Sequence, residues 1–239
     1  MLEIKNLTKT YGNVKAVDDL TLTIADGDIF GFIGHNGAGK TTTIKAVVGV
    51  HDFDKGEILI NGTSVKSDPI ACKKQTAYIP DNPDLYEFLT GIKYLNFVAD
   101  IFDVSKADRA ERIQKYAAEL ELENDLAALI SSYSHGMKQK LAIIGALIHD
   151  PRLLVLDEPF VGLDPKAAFT LKEYFRQMTA EGASIFFSTH GLEVAQKLCN
   201  KIAIIKNGRL VEAGNTDELI GKQSLEDVFL ELTEGDENA

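Results

Sequence analysis

Three β-like runs of mixed apolar and polar residues open the chain: "LEIKNLTKTYG", "VKAVDDLTLTI" and "DIFGFIG", with Asp26-Gly27-Asp28 a turn between the second and third. A helix is predicted to begin near Lys40. "GEILINGTSV" has hairpin chemistry around Asn61-Gly62, and "TAYIP" is an apolar strand stopped by Pro80. Residues 1–80 therefore read as mainly sheet plus one helix. From about Leu85 to His149 the spacing turns helical, with Thr90 and Ser105 as N-caps and Ser105 with Asp108 as a capping box. Strand and helix then alternate again: "RLLVLDEP", a helix opened by Asp164-Pro165, "SIFFSTH", a helical stretch from Gly191 to Cys199, and a hairpin turning at Asn207-Gly208. "RLLVL" and "SIFF" are apolar without alternation, as strands covered on both faces are. The pattern describes an α/β core interrupted by a helical insertion.

Composition narrows the class. A chain of 239 residues with 45% hydrophobic residues can bury a real core. Its net charge of −11 argues against a protein that coats nucleic acid, so no nucleic-acid partner is expected. Cys72 and Cys199 form no CxxC or Cys/His cluster, which leaves buried thiols as the expectation. No apolar run approaches a membrane span, and Met1 leads directly into a strand-like segment, so a cytosolic chain is expected. "EGDENA" at the end reads as a mobile acidic tail.

The chemistry begins at Gly34-His35-Asn36-Gly37-Ala38-Gly39-Lys40-Thr41, which matches G-x-x-x-x-G-K-[ST] between a strand and a helix. Glycines let backbone N–H groups converge on an anion, and the helix start adds a favourable dipole. Lys40 can reach β- and γ-phosphates, while Thr41, and secondarily Thr42, offers a hydroxyl to Mg²⁺. "LLVLDEP" supplies the carboxylates: Asp157 for Mg²⁺, and Glu158 to orient or deprotonate a water beside the γ-phosphate. His35 is expected to be exposed and incidental.

These motifs, with others in order along nearly the whole chain, resemble the nucleotide-binding subunit of ATP-binding cassette (ABC) transporters. Tyr11 in "KTYGN" matches the aromatic on which adenine stacks. "YIPDNPDLY" matches the hinge segment that carries a glutamine in the family; here that position is Asp81. "YSHGMKQKL" resembles the signature Leu-Ser-Gly-Gly-Gln, with Tyr133, His135 and Met137 departing from it while Ser134 and Gly136 keep it. Asp164 in "VGLDP" matches the loop that communicates across a dimer, and His190 in "FSTH" the switch histidine at the γ-phosphate.

The resemblance implies a P-loop NTPase core, mostly parallel sheet with helices on both faces, plus N-terminal antiparallel β elements and an inserted α-helical subdomain. Its expected limits are 1–81 and 150–220 for the core, 82–149 for the insertion, and 221–239 for a short C-terminal helix and tail. It also implies ATP and Mg²⁺ as ligands, with Lys40, Glu158 and His190 catalytic and Thr41, Asp157 and Asp81 at the metal. Gly34, Asn36, Gly37, Ala38, Gly39 and Thr42 would line the nucleotide. Two such subunits would pair head to tail beneath integral membrane permease subunits, each chain's Ser134 and Gly136 completing its partner's site. A C-terminus with "SLEDVFLELT" and no added domain is exporter-like, and the location cytoplasmic, peripheral at the membrane. Leu85, Tyr86, Phe88 and Tyr94 sit near the predicted docking site, most of the aromatics expected in the core.

Two other classes fit less well. A translation or DNA-repair ATPase of the same superfamily would carry tandem cassettes or long coiled-coil insertions. A small GTP switch would need an N-K-x-D motif, which "IKNG" does not supply.

Overall fold

Two sheets divide the chain, and the computed structural model describes them within residues 1–234. The first is antiparallel, in the order β2-β1-β4-β5, from β1 (Leu2–Tyr11), β2 (Val14–Ile24), β4 (Lys55–Ile60) and β5 (Thr63–Ser64). The second has the order β10-β9-β3-β8-β7-β6, from β3 (Ile29–Ile33), β6 (Thr76–Ile79), β7 (Leu153–Asp157), β8 (Ser184–Thr189), β9 (Lys201–Lys206) and β10 (Arg209–Asn215). Among the described residues only the β9–β10 hairpin is antiparallel in it. Both hairpin tips read from Asn-Gly pairs have positive φ at each residue, 49° and 75° at Asn61 and Gly62, 50° and 78° at Asn207 and Gly208, as a type I′ turn demands.

Side-chain alternation in the second sheet builds a sandwich. Phe30, Phe32, Val155, Phe186 and Ile205 join α1 (Lys40–Val47) and the antiparallel sheet in one core. Ile29, Ile33, Leu156, Phe187 and Ile204 point the other way, into α5 (His135–Leu147), α6 (Pro165–Ala180), α7 (Leu192–Leu198) and α9 (Leu225–Glu234). β7 and β8 are buried at every position, as their unbroken apolar runs predict.

The helical stretch holds α3 (Gly91–Ile101), capped by Thr90, α4 (Lys106–Glu119), capped by Ser105, a 3-10 turn (Ile130–Ser132) and α5. Ser105 and Asp108 form half of the predicted box: Asp108 N–H donates to Ser105 Oγ at 3.1 Å, but the Asp108 carboxylate accepts from Ser105 Oγ–H, at 2.7 Å, in place of the Ser105 backbone N–H. The spacing does not predict α2 (Pro69–Lys74); six residues are too short for periodicity to register, although Asp68 caps it and Pro69 opens it. After β10 come α8 (Thr216–Ile220) and α9, the helix predicted at the C-terminus; residues 235–239 of the expected acidic tail lie outside the described residues.

One expectation about packing is corrected. Tyr86 and Phe88 are exposed, at 50% and 77%, not in the core. Leu85 and Tyr94 line an apolar groove of about 370 Å³ with Val48, Pro83, Phe102 and His149. Among the described residues no helix is long and apolar enough to cross a membrane. Both cysteines are free and buried.

Candidate active site

Parallel pairing of β3, β8 and β7 sets their C-terminal ends at one edge: Ile33 pairs Thr189, and Ser188 pairs Asp157. The loops leaving these three strands therefore meet at that edge, which is where open α/β sheets gather ligand-binding groups. A cavity of about 220 Å³ opens there, lined by Ala16, His35, Asn36, Gly37, Gly39, Lys40, Thr41, Thr42, Asp81, Asp157 and Glu158.

The loop between β3 and α1 is held at both ends by close backbone approach. A Cβ on Gly34 would lie 2.5 Å from the Ile205 carbonyl oxygen, and one on Gly39, at φ 108°, 2.4 Å from that of Ala16. Those two glycines are required by space, and Gly39 also by conformation. The Asn207-Gly208 turn reinforces the clamp: Gly208 N–H donates to the Ala38 carbonyl at 2.8 Å, and Asp18 N–H to the Gly208 carbonyl at 2.8 Å. Ala38 is buried beside Gly34.

Lys40 is buried and folds back over the loop, its Nζ donating to the carbonyls of Gly34 at 2.6 Å and His35 at 3.3 Å. Burial lowers its pKa, opposed by the charges of Glu158 and Asp157. An anion entering the loop would add a further counter-charge beside this desolvated ammonium.

Asp157, 3% exposed, accepts a hydrogen bond from Ser188 Oγ–H. Nothing in the sequence singles out Ser188; its position beside Asp157 follows from strand register alone. Glu158 has φ 49° and its N–H donates to Ser188 O and Oγ, each at 3.2 Å. This left-handed turn directs the carboxylate back over the cavity, with Oε1 3.0 Å from His190 Nδ1 and 3.9 Å from Lys40 Nζ. Buried Oε1 accepts no well-aligned hydrogen bond.

As a magnesium site the donor set fits sparsely. Among the described residues no group of three acidic, His or Cys side chains could hold a metal. Thr41, Asp81 and Asp157 all line the cavity, however, and Mg²⁺ in phosphate sites keeps waters and takes only one or two carboxylates.

Other predicted residues lie elsewhere. Tyr11 ends β1, 46% exposed, with its hydroxyl 2.8 Å from His51 Nδ1 and Lys9 Nζ 5.1 Å over its ring; it does not line the cavity. Ser134 N-caps α5, accepting from Met137 N–H at 3.2 Å, and is exposed. Gly136 backs onto the Glu158–Asp164 loop so closely that a Cβ would sit 2.9 Å from the Gly162 carbonyl oxygen, while Gly162 leaves room for the ring of His135. Asp164 caps α6 through Ala167 N–H at 2.8 Å and pairs with Lys140 at 2.7 Å; that hydrogen bond from Lys140 is the main reason its pKa is lowered. Lys140 and Gln139, whose Nε2 donates to the Pro159 carbonyl at 3.5 Å, tie α5 to the strand end after β7. Neither stands out in the sequence. His35 is exposed as expected, but not incidental: its ring packs edge-on against Phe229 of α9, with centroids 4.9 Å apart.

Comparison with known proteins shows the family. The family model described as ABC transporter matches residues 17–161. The ABC-type transporter ATP-binding protein EcsA of Bacillus subtilis (strain 168) is 36% identical over 241 residues, covering 99% of this chain and 98% of that protein. From the same organism, the SkfA peptide export ATP-binding protein SkfE is 37% identical over 212 residues, 89% of this chain and 88% of its own. A solved ATP-binding subunit of an ABC transporter superposes with a TM-score of 0.93 at 37% identity, covering 97% of this chain and 99% of that one. The chain belongs to the ABC transporter family, as an ATP-binding subunit whose activity is ATP hydrolysis coupled to transport.

Proposed function

We propose that two copies of this cassette, or this one and a related one, pair head to tail and drive export through separate membrane permease subunits. One observation carries the pairing. Ser134 and Gly136 sit at the exposed start of α5 and line no part of their own chain's phosphate-loop cavity. A helix start presents donor groups suited to an anion. A two-fold pair would use each patch on the other's γ-phosphate.

Within each site Lys40 would leave the Gly34 and His35 carbonyls for the β- and γ-phosphates. Glu158 Oε1, free of aligned donors, would orient the attacking water and take its proton, with His190 holding the γ-phosphate beside it. Asp157 and Thr41, with Asp81 at the hinge, would hold Mg²⁺, which supplies charge neutralisation between the phosphates. Tyr11, its ring half exposed, would carry adenine. Asp164, fixed by Lys140, would link signature and metal strand across the pair.

The groove lined by Leu85, Tyr94 and His149 suits a short amphipathic helix from a permease, which would hold the subunit on the cytoplasmic face of the membrane. Export follows the name of SkfE, a likeness that reaches 88% of that protein.

Mixed dimers test the shared site. In a pair made of one Ser134→Arg chain and one Lys40→Ala chain, head-to-tail sharing puts both lesions in one site and leaves the other site intact. Mixing two inactive parents should therefore restore activity, up to half of wild-type turnover in the purified mixed pair. Parents that stay inactive when mixed would refute head-to-tail sharing.

A further inference from the structure

The phosphate loop is gripped unevenly. Its ends are fixed by the Ile205 and Ala16 carbonyls, but a Cβ on Gly37, at φ 82°, would meet nothing within 4 Å. Between these regions stands His35, whose carbonyl accepts from Lys40 Nζ and whose ring meets Phe229 at 4.9 Å and 64°. Edge-to-face contact of this kind is directional as well as apolar. Phe229 itself is anchored, 5% exposed, on a helix whose Leu225 is fully buried.

α9 also touches two other elements of the site. Leu225 N–H donates to Gln196 Oε1 at 3.0 Å on α7, the helix that begins just beyond His190. The Thr233 carbonyl accepts from Lys206 Nζ, the last residue of β9 before the Asn207-Gly208 turn that clamps the loop. One helix thereby touches the outer arc of the phosphate loop, the segment beyond the switch histidine, and the loop's rear clamp.

We propose that α9 is a brace on the nucleotide site: Phe229, acting through His35, is a positioning residue that holds the outer arc of the phosphate loop in its anion-binding shape. Without the ring contact the loop must be ordered by the nucleotide itself, so binding weakens while the chemistry of bound ATP is unchanged. The proposal rests on residues 34–41 being the phosphate loop.

Phe229→Leu keeps an apolar side chain at the buried position and removes the ring, so the fold is retained. His35→Ala removes the same contact from the exposed side. Calorimetric titration of the full chain with ADP should show each single variant about five-fold weaker, equal to ~1 kcal/mol, with the double variant no more than two-fold weaker again. His35→Phe, which keeps an aromatic edge, should bind like the wild type. In phosphate-release assays the KM for ATP should rise about five-fold for Phe229→Leu with kcat within two-fold, a split that general destabilisation would not give. Unchanged ADP affinity in Phe229→Leu, or a double variant weakened by the full product of the singles, overturns the brace. Lys40→Ala separates the two assignments: wild-type nucleotide affinity in that variant would overturn the phosphate-loop assignment and the brace together, whereas strong loss there with no effect of Phe229→Leu overturns the brace alone.

Discussion

His190 Nδ1 stands 3.0 Å from Glu158 Oε1, at the ends of two neighbouring parallel strands. The contact fixes the two side chains relative to each other. Glu158→Gln keeps the shape and removes the proton acceptor, so phosphate release should fall ~10²–10⁴-fold, as loss of a general base does, while calorimetry shows ATP still bound. His190→Ala should reduce turnover as well. Applied together, the two changes should cost less than the product of their separate effects, because they act on one contact. Independent, fully multiplicative losses would refute the pairing.

Ser188 supports Asp157, the carboxylate proposed to hold the metal. Its hydroxyl donates to Asp157 and receives Glu158 N–H, so Ser188→Ala strips a buried carboxylate of its partner and loosens the turn that aims Glu158. The magnesium concentration for half-maximal turnover should rise ~10–100-fold, the usual effect of deleting a group that orients a metal ligand. Titrating Mg²⁺ at saturating ATP measures it.

Gly136→Ala should act through the neighbouring loop. The added methyl would fall 2.9 Å from the Gly162 carbonyl oxygen, so the Glu158–Asp164 loop must shift. Because α5 tolerates alanine well, thermal stability should change little, and turnover should fall by roughly ten-fold or more. A fully active Gly136→Ala chain would show that this loop has room to spare.

The groove carries a pH signature. His149 stacks on Phe102 with centroids 3.6 Å apart, neither ring nitrogen has a well-aligned partner, and burial pulls its pKa down to about 4, against weaker opposing effects of the Thr76 backbone and Asp150. An unfolded chain takes up this proton near pH 6.5 and the folded one only near pH 4. Stability from this group is thus complete above pH 6.5 and is lost as pH falls toward 4, by about 3 kcal/mol at most. His149→Phe keeps the stack and should flatten the pH dependence of urea unfolding in that window.

Legibility followed locality. The loop of residues 34–41, the Asp157-Glu158 pair and the stretch holding Ser134 and Gly136 declare themselves in contiguous residues, because strand, turn and helix start impose local spacing. Helix α2 hid in six residues whose only signals were Asp68 and Pro69. Gln139 and Ser188 meet partners 20 and 31 residues away, Lys140 reaches across to Asp164, and no pattern along the chain marks such meetings. The Phe229–His35 contact is the extreme case, joining the two ends of the fold through a helix that reads as a plain amphipathic terminus.

The two Asn-Gly hairpin tips differ in what they can bear. At 61–62 the chain turns in open space: a Cβ on Gly62 would meet nothing within 4 Å. At 207–208 the same turn is wedged between the Ala16 carbonyl, 2.8 Å from where a Cβ on Gly208 would stand, and the Ala38 carbonyl that its N–H holds. A fluorescent graft or added epitope would be borne at the first tip with the ATPase intact. Spliced into the second, it would pry apart the wall on which the phosphate loop leans, although both places look equally superficial to anyone choosing an insertion point by turn type.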